Sequence, residues 1–350
     1  MNSPLVDRIA DAVLYEGYIL YPYRPSSIKN RQRWNFGGLC PRSYAEVQGG
    51  NERSSSQTEC LVLAAGAATV RVQLRFLHLV SRQAAELVAA AGGCESVNLR
   101  PVETIRIGHR LFQTWQEAFE QRLDLPELSL PPLSHEPRRT SYAFPSAESI
   151  EPLRDAAGKL TGAFIRKQQE LECAVDVSAR RVGDSLYRVT VQVLNLTPMA
   201  DPHHASRDEA MMFSLVSSHL VLTVDDGAFI SLLDPPAEFQ NAAAQCKNLG
   251  IYPVLVGEEG DRDTILSSPI ILYDYPKIAP ESPGNLFDGT EIDEILALRI
   301  LTLTDEEKHE MRDSDERARI ILDRVEAHPE QLANLHGVIR SSGPSREETP

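Results

Sequence analysis

The segment that most limits how this chain can fold runs from Glu170 to Thr197. It reads ELECAVDVSARRV, then Gly183-Asp184, then SLYRVTVQVLNLT. Apolar and polar residues alternate in both halves, the period-two signature of a strand with one buried face. The Gly-Asp step supplies a tight turn, so the two halves predict a long antiparallel hairpin. Such a hairpin must bury its apolar face against a second layer.

The pattern recurs. Glu59–Ala65 and Thr69–Leu79 predict strands, the second alternating Val70, Val72, Leu74 and Phe76 with Arg71, Gln73 and Arg75. SHLVLTVDDGAFISLLDPP predicts a second hairpin turning at Asp225-Asp226-Gly227, and apolar runs at 251–256 and 269–273 predict short strands. ETIRIG at 103–108 reads as a strand, FQTWQEAFEQRL at 112–123 as a helix, and AAELVAAAGG at 84–93 as a short helix or buried turn. Residues 4–16 predict an amphipathic helix with Leu5, Ile9, Ala12 and Val13 on one face. Thr304 followed by Asp305, Glu306 and Glu307 is a capping box, and Ser314 is expected to cap a second helix bearing Ile320, Ile321, Leu322 and Val325.

The expected class is therefore α+β, an antiparallel β-sandwich-like core with C-terminal helices and an irregular N-terminal arm. The expected division is a helix and arm over 1–50 and a first α+β part over 51–145 that ends in a Pro-rich crossing. A β-rich core over 146–300, helices over 301–340 and a disordered tail over 341–350 follow.

Composition excludes some partners. The chain of 350 residues has a formal charge of −15 and a pI near 5.1, which opposes general nucleic-acid binding. It has no basic-then-apolar leader and no membrane-length apolar run, so a cytoplasmic location is expected. Its five cysteines, Cys40, Cys60, Cys94, Cys173 and Cys246, form no CxxC pair, as expected of reduced thiols rather than of a zinc ribbon or iron–sulfur site.

Against that acidic background, residues 17–45 contain no acid. GYILYPYRPSSIKNRQRWNFGGLCPRSYA interleaves Tyr21, Tyr23 and Trp34 with Arg24, Lys29, Arg31 and Arg33. Guanidinium groups and flat rings suit an acidic or planar partner, and these seven residues are the expected partner-binding surface. Residues 258–316 hold 17 acids against five bases. The stretch could equally clamp onto that acidic third.

Other candidates are thinner. His203, His204 and His219 lie near Asp201, Asp208 and Glu209, but no spacing matches a known ligand set, so no metal and no cofactor is expected. Cys40 precedes Arg42, which could lower its thiol pKa, yet no histidine base is near in sequence. Gly257–Asp263 is too acidic for a phosphate cradle and reads as a solvated turn. G-x-S-x-G, Walker, G-x-G-x-x-G and H-E-x-x-H patterns are absent, so the catalytic residues stay unassigned.

Three blocks taken together, LYEGYILYPYRPSSIKNRQRWNFGG at 14–38, DGAFISLLDPP at 226–236, and 248–308 beginning NLGIYPVLVGEEGDRD, resemble an uncharacterised bacterial family often encoded beside [NiFe]-hydrogenase genes. The resemblance carries over no catalytic residue. It implies a non-enzymatic accessory or assembly factor whose protein partners are hydrogenase subunits or maturation proteins. The alternative is an enzyme or metal carrier whose site pairs the arm with the acidic third or with His203, His204 and His219.

Overall fold

A computed structural model describes residues 4–15, 36–64, 66–88, 98–108, 110–277, 300, 302–314 and 316–327. Helix α1 (Pro4–Tyr15) and the short α2 (Arg42–Val47) precede β1 (Ser55–Leu63) and β2 (Thr69–Val88). Then come β3 (Asn98–Val102), β4 (Thr104–Ile107), β5 (Arg110–Gln113), β6 (Trp115–Asp124), β7 (Leu128–Ser129), α3 (Leu130–Leu133), β8 (Arg138–Phe144), β9 (Ala147–Arg154) and β10 (Leu160–Gln168). The predicted hairpin follows as β11 (Leu171–Arg181) and β12 (Leu186–Asn195), paired antiparallel from Cys173 opposite Asn195 to Arg181 opposite Tyr187. After α4 (Arg207–Met211) the chain forms β13 (Val216–Asp225), β14 (Ala228–Ile230), α5 (Gln240–Ala243), β15 (Tyr252–Leu255) and β16 (Thr264–Ser268), and ends in α6 (Asp305–Ser314) and α7 (Glu316–Ala327).

Two antiparallel sheets form the sandwich. One has five strands in the order β14-β1-β12-β11-β8. The other has nine, with β15-β16-β13-β2-β10-β9 in sequence and β3, β6 and β7 also on β2. The spine is β2. Its residues 69–77 pair with β13 and 80–86 with β10, while β6 takes 73–82. Since β6 overlaps both, it must lie on the opposite edge of β2. At ~3.3 Å per residue this 20-residue strand spans about 66 Å.

The two inner faces interdigitate. Val70, Val72, Leu74, Phe76, Leu220 and Leu222 come from the large sheet; Val62, Val175, Val177, Val189, Val191 and Phe229 come from the small one. The outer face of the large sheet is also covered. There α1 packs Val6, Ile9, Ala10 and Val13 onto Val221, Val254 and Leu266, while Leu77 and Leu79 lie under Leu14, Cys40 and Tyr44.

Four expectations need correction. FQTWQEAFEQRL is β-structure, the end of β5 and nearly all of β6: pairing with ten residues of β2 overrides the helical spacing of Phe112, Trp115, Phe119 and Leu123. Ala84–Val88 is the end of β2, paired with β3, not a helix or turn. The run 218–236 is not a hairpin, because β13 belongs to the large sheet and β14 pairs with β1 in the small one. The Asp225–Gly227 turn crosses between layers: Asp226 adopts φ 56°, and a Cβ on Gly227 would come within 3.2 Å of the Leu63 carbonyl oxygen. Finally, the strand expected at 269–273 ends at Ser268, and Pro269 opens a non-strand segment.

The crossing at 126–145 connects strands that share both sheets: β1 pairs with β12, and β2 with β10 and β13. At the C-terminal end the Thr304 capping box is made, with Thr304 N–H donating to Glu307 Oε2 at 2.8 Å and Glu307 N–H to Thr304 Oγ1 at 3.3 Å. Among the described residues no helix is long and apolar enough to cross a membrane.

Candidate functional site

Tyr21, Tyr23, Arg24, Lys29, Arg31, Arg33 and Trp34 lie outside the described residues. The end of their stretch, from Phe36 to Tyr44, is described, and it is fastened to the sandwich at several points. Leu39 exchanges backbone hydrogen bonds with Leu215, N to O at 2.9 and 3.1 Å. Cys40 N–H donates to Arg53 O at 2.7 Å, and Ser218 N–H donates to Gly37 O at 3.1 Å. Asn195, buried, donates its amide to Leu39 O at 2.7 Å and Phe213 O at 2.8 Å.

Gly37 sits at φ 59° against Pro269; a Cβ there would meet the proline ring at 2.6 Å. No other residue satisfies both the backbone and the space without displacement. Beyond Pro269, Ile270 and Leu272 turn inward onto the α1 cluster. Ile271 and Tyr273 between them turn outward, 95% and 80% exposed, and Phe36 is 46% exposed. Asp274 and Tyr275 fix this segment to β15: Leu255 N–H donates to Asp274 Oδ1 at 2.8 Å, and Tyr275 N–H donates to Leu255 O at 2.7 Å. The anchored end of the basic stretch thus lies against the start of a segment that presents two large apolar side chains.

Cys40 is not the activated thiol that its neighbour Arg42 suggested. Arg42 turns outward to Glu46 at 2.8 Å. Burial pushes the Cys40 thiol up to about 11; Ser214 and Arg207 oppose that rise and Glu52 adds to it. Arg207 and Glu52 pair at 2.7 Å beside it.

The three histidines are not brought together. His203 and His204 are on an exposed turn, where His204 Nδ1 lies 3.0 Å from Asp201 Oδ1. His219 is buried on β13, opposite Arg75, with Nδ1 2.9 Å from Ser217 O at a bulge where Ser217 has φ 54°. Among the described residues no three His, Cys, Asp or Glu side chains gather as a metal-holding group. At Gly257–Asp263 Glu258 N–H closes onto Asp261 Oδ2 at 2.9 Å, an exposed turn as expected.

Beside His219 is a charge cluster that the motif search missed. Arg75, wholly buried, holds Glu120 through Nε at 2.8 Å and Nη2 at 2.6 Å, reaches Asp11 with the same Nη2, and has Asp7 at 4.0 Å. Arg122 closes the group with Asp7 at 3.4 Å and Glu120 at 3.3 Å. The available signal was Arg75 in the polar register of β2, a register that turns apolar at Leu77 and Leu79.

These guanidinium groups add to burial in lowering the His219 pKa to about 3, against the usual 6.5. Its folded pKa is depressed, so the unfolded chain takes the proton first and stability falls with pH. Between about pH 6.5 and 3 this histidine is expected to remove ~1.4 kcal/mol per pH unit, and nothing above that range. Urea titrations from pH 7 to 4 should show this slope, and His219→Gln should flatten it.

No protein-family model matches the chain, and no curated protein matches it.

Proposed function

We propose that this protein is a non-enzymatic accessory or assembly factor of the bacterial cytoplasm that works by protein–protein contact, with [NiFe]-hydrogenase subunits or maturation proteins as partners. The observation that carries this reading is the fixed end of the acid-free stretch. Gly37, Leu39 and Cys40 are tied to the sandwich next to the segment that exposes Ile271 and Tyr273. Exposed aromatic and aliphatic side chains next to the anchored end of a sequence rich in arginine and tyrosine match the composition of protein contact surfaces, where Tyr, Trp and Arg dominate the binding energy. The partner choice rests on the sequence resemblance alone.

Tyr21, Tyr23, Arg24, Lys29, Arg31, Arg33 and Trp34 form the contact surface in this reading. Reversing Arg31 and Arg33 to glutamate is expected to weaken partner binding at least ~10-fold while leaving the unfolding midpoint unchanged. Affinity purification of the tagged protein from its host, followed by mass spectrometry, identifies the partner. Titration of that partner with wild type and the double variant then tests the surface. Equal affinity for both would overturn the reading.

A further inference from the structure

We propose that a cavity on the outer face of the large sheet binds one small organic cation, a primary aliphatic amine in its ammonium form. The cavity measures about 290 Å³ and is lined by Arg71, Gln73, Asp124, Leu125, Val221 and Thr223. That volume is at the small end of ligand sites and suits a molecule of a few heavy atoms.

Strand register builds the site. Gln73 on β2 lies between Asp124 on β6 and Val221 on β13, so one row across three strands carries an acid, an amide and an apolar side chain. In the next row Thr223 lies opposite Arg71. Paired residues project to the same face, and so do residues two apart on one strand, so both rows share one floor. On the other side of the Gln73 row, Arg75 and Arg122 are held by Asp7, Asp11 and Glu120.

Unmatched hydrogen-bonding groups and charge select the ligand. Gln73 Nε2 donates to Asp124 Oδ1 at 2.7 Å, which leaves Gln73 Oε1 buried with no hydrogen-bond partner in the protein. Turning the amide over would set its oxygen against the carboxylate, so Asp124 fixes the orphan atom as an acceptor. Thr223, only 9% exposed, adds a hydroxyl that no described residue hydrogen-bonds. The ligand must therefore bring a donor. Arg71 pairs with Asp225 and has Glu127 at 3.5 Å, so two acids already answer this base. Asp124 pairs with no cation among the described residues. A ligand anion would meet three carboxylates, whereas an ammonium meets an unpaired one. Among the described residues these acids do not gather as a metal-holding group, so the cation is one held through N–H donors. An ammonium seated at Gln73 Oε1 and Asp124 makes charge-assisted hydrogen bonds, and its alkyl chain has Val221 to lie on.

The site is independent of the accessory reading, since its test contains no partner protein. The test is titration of the ¹⁵N-labelled full chain with n-butylammonium, followed by NMR shift changes, which should saturate at concentrations on the order of millimolar. Butanoate, of similar shape and opposite charge, should bind at least ~10-fold more weakly. Asp124→Asn keeps an acceptor for Gln73 and removes the charge; it should lose at least ~10-fold with an unchanged unfolding midpoint. Gln73→Met, which removes the orphan carbonyl at similar volume, should lose at least ~3-fold, its fold checked by circular dichroism. Asp184→Asn, at the exposed β11–β12 turn, should lose none. Shifts that never saturate, equal binding of butanoate, unchanged affinity in either cavity variant, or an equal loss in Asp184→Asn would each overturn the proposal.

Discussion

Phe76→Ala is expected to lower the stability of the fold by about 3–5 kcal/mol, the range for emptying a fully buried aromatic site. Phe76 is wholly buried on the inner face of β2, and its ring meets that of Phe144 edge to face at 5.8 Å. Phe144 ends β8 on the edge of the other sheet, so this pair bonds the two layers. Truncation removes apolar area from one side and leaves the other without contact. Strand partners fix the backbone of β2 on both edges, so it cannot move in to fill the gap. Ile150→Ala on β9, where the side chain is 58% exposed, should change stability by less than about 0.5 kcal/mol. Equilibrium urea unfolding of the two variants checks both values. Similar losses from both would mean that the sandwich interior is not the main source of stability.

The fold class was legible because the β11–β12 hairpin is formed by one continuous piece of sequence whose alternation and turn agree. Partners were not legible. The run from His219 to Ile230 alternates as strands do, but periodicity shows that a segment is a strand and not which sheet it joins. The turn at Asp226-Gly227 instead carries the chain across the sandwich. In β6 the signal pointed the wrong way. Gln, Glu and Ala with aromatic residues three and four apart satisfy a helix, and only the long spine strand beside them selects the extended form.

The candidate site divides similarly. The acid-free stretch stands out in composition, since that is a property of neighbours in sequence. The surroundings of Cys40 were hidden, because Arg207 and Ser214 approach it from a distant part of the chain and the adjacent Arg42 turns away. The buried role of Arg75 was hidden for the same reason: its partners come from α1 and β6.

Removing one of those partners should produce the other large effect. Glu120→Ala is expected to cost about 3 kcal/mol, the low end for breaking a buried ion pair, since Arg75 then keeps a buried charge that has lost the carboxylate on its Nε and retains Asp11. Arg75→Met combined with Glu120→Leu should recover most of that loss, because a well-packed apolar pair avoids the desolvation that the ion pair only offsets. A double-mutant cycle from urea unfolding measures the coupling; additive losses would mean that the pair is not a unit. The consequence extends past stability. Arg75 also reaches Asp11 and Asp7, so it ties α1 to the outer face of the sheet, and α1 leads directly into the acid-free stretch. Among the described residues the flanks of that stretch are fastened on both sides, by α1 before it and by the Gly37–Cys40 anchor at its end. Loss of Glu120 frees Arg75 from β6 and weakens the first while leaving the second intact. Partner binding in Glu120→Ala should therefore fall less than in the Arg31/Arg33 reversal, although its loss of stability is far greater. An assembly factor whose contact chemistry resides in the stretch, and whose sandwich serves to hold it, requires that order of effects.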